Sequence, residues 1–178
     1  MEQRADSVNK LVDHLFRHES GRMVSVLSRL LGLQNLEAAQ DIVQDTLLQA
    51  MNTWGFNGIP ENPSGGLYRV ATNKAIDFLR RQKKFKEIGP QYSYLLQSEY
   101  TLTSTVSNFF LDDEVQDSQL RMMFACSHPS IPEESQIALT LKTLCGLSVH
   151  EIAKAFLTND EAISKRIYRA KEKIISEK

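Results

Sequence analysis

The sequence predicts an all-α fold made of two small helical modules joined by an acidic linker. Three observations lead there. Apolar residues recur three and four positions apart through most of the chain. Nowhere do apolar and polar residues alternate between hairpin turns, as a sheet would require. Two stretches rich in turn residues, 55–66 and 86–111, interrupt the helical pattern.

The elements follow in order. Leu11, Leu15, Val24, Leu27, Leu30 and Leu31 keep helical spacing, and Ser20-Gly21 between them predicts a break into two helices. Leu36, Val43, Leu47, Ala50 and Trp54 form one side of the next helix, with Trp54 in the core. Residues 55–66 hold four glycines, two prolines and two asparagines and read as a loop, which also carries Phe56. Leu67, Ala71, Ala75 and Phe78 line a helix from about Leu67 to Lys84. Residues 87–111 are the linker, with one short helix expected around Tyr92 to Gln97. Helical pattern resumes over about Asp112–Ala125 and Pro132–Leu144. The modules therefore span 1–86 and 112–178.

The C-terminal module ends in two helices. Ser148 and Glu151 have the spacing of a capping box. After Leu157-Thr158, Asn159 or Asp160 caps a last helix whose buried stripe is Ile163, Ile167, Ala170 and Ile174. A short helix, a tight turn and a basic second helix make a helix-turn-helix. Such a unit lays its second helix in the DNA major groove. A plain helical hairpin with a basic outer face has the same pattern.

Charge sharpens the choice. The chain of 178 residues has a net charge of -1, which by itself argues against a basic nucleic-acid coat. By segment the charge is -3 over 1–68, +6 over 69–86, -6 over 87–120, -2 over 121–163 and +4 over 164–178. Two basic blocks thus flank an acidic middle, the asymmetry expected of a polyanion-binding chain. The first block lies on a helix next to a loop with amides and an aromatic, groups that can hold unstacked bases. Asp41, Gln44, Asp45 and Leu48 form an acidic stripe with an apolar edge, suited to a basic protein partner.

Other classes are poorly supported. No apolar run approaches the roughly 18–20 residues that span a bilayer, and no apolar signal core is visible, so the expected location is cytoplasmic. Cys126 and Cys145 give neither a disulfide framework nor a zinc knuckle. Asp112-Asp113-Glu114 reads as a helix start rather than a metal cluster. No catalytic motif appears, so neither enzyme activity nor a cofactor is expected. A dimeric helix-turn-helix repressor and a protein-binding adaptor remain as alternatives. The first leaves the acidic stripe and the 55–66 loop without a role, and the second leaves both basic blocks without one.

Two stretches resemble a known family. Asp41-Ile42-Val43-Gln44-Asp45-Thr46-Leu47-Leu48-Gln49-Ala50 with Leu67-Tyr68-Arg69-Val70-Ala71-Thr72-Asn73-Lys74-Ala75-Ile76-Asp77-Phe78-Leu79-Arg80-Arg81 is similar to region 2 of extracytoplasmic-function sigma factors of bacterial RNA polymerase. Leu147 to Lys173 resembles region 4 of the same family. The stretch from His128 to Lys142 is similar to a subgroup with a long C-terminal helical-repeat extension, and the sequence stops just after the recognition helix, either as a shortened chain or as a member without that extension.

The resemblance implies roles. Asp41, Gln44, Asp45 and Leu48 would dock on the β′ clamp coiled coil of core RNA polymerase. The 55–66 loop with Asn57 and Asn62, together with Arg69, Asn73, Lys74, Arg80 and Arg81, would melt and hold the minus-ten element of promoter DNA. Ser164, Lys165, Arg166, Tyr168, Arg169 and Lys171 would read the minus-thirty-five element as duplex. The β flap would be a further polymerase contact, and the linker would run through the polymerase. An anti-sigma protein or the missing extension would regulate the chain. Three positions depart from the family pattern. Gly66 replaces an aromatic, Leu157 a turn glycine, and Asn159-Asp160-Glu161 a Pro-x-Gly.

Overall fold

Met23, Val24, Ser25, Val26, Leu27 and Ser28 are all buried, and six successive residues point all the way round one helix. That helix is therefore central, with neighbours on more than one side. The structure, a computed structural model, describes residues 2–84 and 99–176. The described residues form helices and their connections, with no strand, so the all-α expectation holds. No described helix is long and apolar enough to cross a membrane.

Helix α1 (Glu2–Leu31) is continuous, and the break expected at Ser20-Gly21 does not exist. Gly21 serves close approach instead. A Cβ there would lie 2.1 Å from the carbonyl oxygen of Leu144, in the second module. The glycine costs helix propensity but admits a neighbouring backbone. Gly32 (φ 86°) ends α1, and the Asn35 side chain donates to the Leu31 carbonyl at 2.8 Å. A 3-10 turn at Leu33–Asn35 leads into α2 (Leu36–Asn57), which packs on α1 and buries Leu36, Ala39, Val43 and Leu47. Trp54 is in the core as expected.

The 55–66 loop is shorter than the turn residues implied. α2 runs through Gly55 to Asn57, and α3 (Pro63–Lys84) starts four residues before Leu67. Asn62 caps α3, its Oδ1 accepting from the Gly65 N–H at 2.8 Å. Pro63 is tolerated at the first helical position, where its missing N–H would have been unpaired anyway.

Within the stretch read as linker, residues Glu99–Asn108 form α4. Leu102, Val106 and Phe110 fall on one side and are buried, and the Phe110 ring lies 5.1 Å from that of Tyr68 on α3. Three apolar residues among many Ser and Thr suffice because they meet an existing apolar face. The helix expected at Tyr92–Gln97 lies outside the described residues.

The second module comprises α5 (Asp112–Cys126), α6 (Glu133–Thr143), α7 (Val149–Ala155) and α8 (Asp160–Ser176). It packs directly against the first. α5 lies along α1, where Arg29 meets Glu114 at 2.7 Å and Asp117 at 3.1 Å. Arg17 pairs with Glu151 of α7, and Lys171 of α8 donates to Gln40 of α2 at 2.6 Å. A cleft of about 200 Å³ between the modules is lined by Ser20, Val24, Gln40, Asp41, Gln44 and Lys142, among others.

Gly21→Val should force the modules apart or loosen their contact. Small-angle scattering should then give a radius of gyration above the roughly 16 Å of a compact chain of this length. An unchanged radius with an unchanged melting temperature would show that the modules are not seated on Gly21.

Candidate nucleic-acid interface

The first module's surface is built on α3. Its inner side is held by an unusual anchor. Glu19 of α1 is only 7% exposed, and both Tyr68 and Ser64 donate to its carboxylate, with Arg22 at 3.7 Å. A buried carboxylate needs such partners. Burial, then the bond to Glu19, pushes the Tyr68 hydroxyl up to about 12, so it stays a donor. Nothing in the sequence flagged Glu19, because its hydrogen-bond partners Ser64 and Tyr68 come from another helix.

With that side fixed, Arg69, Asn73, Arg80 and Arg81 are exposed on the outer side of α3. Arg80 also meets Asp77 at 3.4 Å. Asn57, the last residue of α2, is exposed, and so is Phe56 at 93%. Two expected contacts have other partners. Asn62 is engaged as the α3 cap. Lys74 is half-buried and lies 3.7 Å from Asp45, which ties the basic face to the acidic stripe. On α2, Asp41, Gln44, Asp45 and Leu48 share an exposed surface. Met51, not singled out from the sequence, extends its apolar edge.

The helix-turn-helix forms as the sequence pattern predicts. Ser148 Oγ accepts from the Glu151 N–H at 3.2 Å, and the Glu151 carboxylate accepts from the Ser148 N–H at 2.8 Å. The Ser148 bonds and Arg17 hold Glu151 down at about 2. At the turn, Leu157 takes φ 50° with its side chain 95% exposed. This is the left-handed conformation that glycine adopts freely. Asn159 caps α8, accepting from the Ala162 N–H at 2.8 Å.

Ile163, Ile167, Ala170 and Ile174 face inward, leaving Glu161, Ser164, Lys165, Tyr168 and Arg169 exposed. Two predicted contacts lie on the flanks of this face. Arg166 pairs with Glu134 at 2.9 Å and stands over the Phe156 ring. Lys171 turns to Gln40 on α2, and burial pulls its pKa down. The resemblance places both in the duplex-reading set, and in the structure each meets a partner from another helix. Cys126 is buried, and its thiol is pushed up to about 11, which disfavours a metal-binding thiolate. Glu114 of the acidic triplet is spent on Arg29.

Two family descriptions match the chain. Sigma-70 region 2 matches residues 15–85, and sigma-70 region 4 matches residues 121–174. An uncharacterised protein of Rhizobium meliloti (strain 1021) is 35% identical over 143 residues, which cover 79% of this chain and 33% of that protein. The RNA polymerase sigma factor SigV of Bacillus subtilis is 25% identical, over 78% of this chain and 74% of its own. The ECF RNA polymerase sigma factor SigE of Mycolicibacterium smegmatis is 25% identical, over 91% of this chain and 59% of its own. The chain thus spans about a third of the Rhizobium protein. No solved structure gives a significant match.

Ser148→Ala should cost about 1 kcal/mol of stability, read from denaturant unfolding, through loss of the cap. The Glu151 carboxylate contributes its stabilisation above pH 4.5 and loses it as pH falls towards 2. The gap in melting temperature between the wild type and Glu151→Gln should therefore narrow on acidification through that window. A constant gap would show that the charge of Glu151 is not involved.

Proposed function

The chain belongs to the extracytoplasmic-function sigma factors of the sigma-70 family, and from that premise we propose that it binds core RNA polymerase and directs it to promoters. The observation that carries this reading is the coexistence, in one chain, of a basic helix face on α3, an acidic and apolar face on α2 and a helix-turn-helix on α7–α8. In this reading the chain is a binding subunit, and the chemistry of transcription belongs to the polymerase.

The division of labour follows the surfaces. Arg69, Asn73, Arg80 and Arg81, beside Phe56 and Asn57, hold the unstacked strand of the minus-ten element, with cations on phosphates and aromatic or amide groups on bases. Lys74 joins them once it leaves Asp45. Lys165, Tyr168 and Arg169, with Ser164 at the edge, face the minus-thirty-five duplex. Asp41, Gln44, Asp45 and Leu48 take the β′ clamp coiled coil. The exposed apolar residues Leu120, Met123 and Phe124 of α5 suit the β flap. Of the six acids in residues 87–120, Asp112, Asp113, Glu114 and Asp117 lie on α5, so the linker itself brings only Glu87 and Glu99 to a path through a basic polymerase channel. An anti-sigma protein, or an extension of the subgroup's kind, would act on these same surfaces.

This activity requires the molecule to open. Two elements centred about 25 base pairs apart are separated by roughly 85 Å along the helix axis. A compact chain of this length is only about 40 Å across. The contacts of α5, α6 and α8 with the first module must therefore break when both elements are held.

Mixing the protein with core RNA polymerase should give a complex that initiates from specific promoters. Failure to join core, together with binding to a palindrome as a dimer, would instead indicate a repressor. Reversing Asp41 and Asp45 to Lys should weaken core binding by about tenfold and spare duplex binding. Equal core affinity would remove the assigned clamp role. Arg169→Ala should weaken duplex binding and lower its salt slope by about one. An unaltered slope would exclude a phosphate contact there.

A further inference from the structure

The duplex-facing helix begins with acids. Asp160 and Glu161 occupy the first turn of α8, just behind the Asn159 cap. The helix dipole favours a negative charge there, but the two side chains take different directions. Asp160 turns back to His150 of α7 at 3.2 Å. Glu161 reaches along α8 to Lys165 at 2.6 Å, with its side chain 76% exposed. It lines an outward concavity of about 340 Å³ with Asn159, Ala162, Lys165, Arg166 and Arg169.

A carboxylate at this point repels phosphate. Within the major groove only two base-edge groups can donate to it, the N6 amine of adenine and the N4 amine of cytosine. Adenine presents its N7 acceptor beside the amine, against the second carboxylate oxygen. Cytosine has no acceptor on that side. The N-terminal residues of a recognition helix are the ones that approach base edges. We propose that Glu161 is a specificity-determining residue that accepts from the N4 amine of a cytosine in the duplex read by α8. Lys165 holds the carboxylate extended and offsets its charge. This rests on the reading of α7–α8 as the duplex-binding unit of a sigma factor.

The test uses the full chain with core RNA polymerase and a randomised duplex library. Wild type should enrich an upstream element with cytosine favoured about tenfold at one position, the size of a single base-pair preference. Glu161→Ala should flatten that position and leave the others. Glu161→Gln should move it to adenine, whose N6 and N7 an amide can engage together. The inference is overturned if the upstream element has no cytosine position. It is equally overturned if the variants return the wild-type preferences, or if Glu161→Ala weakens every position alike. A library that yields no upstream element at all overturns the sigma reading itself, so the two failures are distinct.

Discussion

The closed molecule depends on one close approach, between Gly21 of α1 and the Leu144 backbone at the end of α6. α1 is a spine shared by both modules. One part of its surface binds α2 and α3, with Glu19 buried against Tyr68. Another part offers Gly21 to α6 and Arg29 to α5. The charged links across the modules are partly exposed, and each such pair is worth about 0–1 kcal/mol. Shape and apolar burial, rather than ion pairs, therefore account for most of the contact. A contact of that kind forms without strong directional bonds.

The helix-turn-helix carries a different balance. Its capping box and Asn159 cap satisfy the backbone groups that a helix end leaves open. The turn works against them. Leu157 in the left-handed region costs roughly 1–2 kcal/mol relative to an ordinary conformation, and its exposed side chain gains little burial in return. The surrounding bonds, Leu157 N–H to Lys154 and Thr158 N–H to Ala153, hold the turn in place. Helix geometry here is set by the backbone caps, and Ser164, Tyr168 and Arg169 stand exposed on the outward side of α8.

Much of this was legible in the sequence, because it depends on local periodicity. The buried faces of α2, α3 and α8, the capping box and the exposed acidic stripe all follow from residues a few positions apart. What was not legible depends on residues far away. Gly21 reads as a break until Leu144 is placed beside it. α4 reads as linker because Leu102, Val106 and Phe110, although four apart, are outnumbered by Ser and Thr, and their burial depends on the α3 face beneath them. The partners of Lys171 and Arg166, Gln40 and Glu134, come from other helices and carry no local signal. Asn62 reads as a loop amide, yet Pro63 after it is itself the mark of a helix start. That sign was present, and the glycines around it obscured it.

The short join between α4 and α5 sets the order in which the modules can separate. Only residues 109–111 lie between the two helices. Fully extended, the chain from Asn108 to Asp112 reaches roughly 14 Å. While α4 remains docked on α3, the second module is on a short leash. Wide separation thus proceeds in stages, with α5 leaving α1 early and Leu102, Val106 and Phe110 surrendering their burial afterwards. The affinity of one small helix for α3 becomes a separate threshold on the reach of the whole molecule. Sequence changes there can alter that reach without touching the exposed faces of α2, α3 and α8.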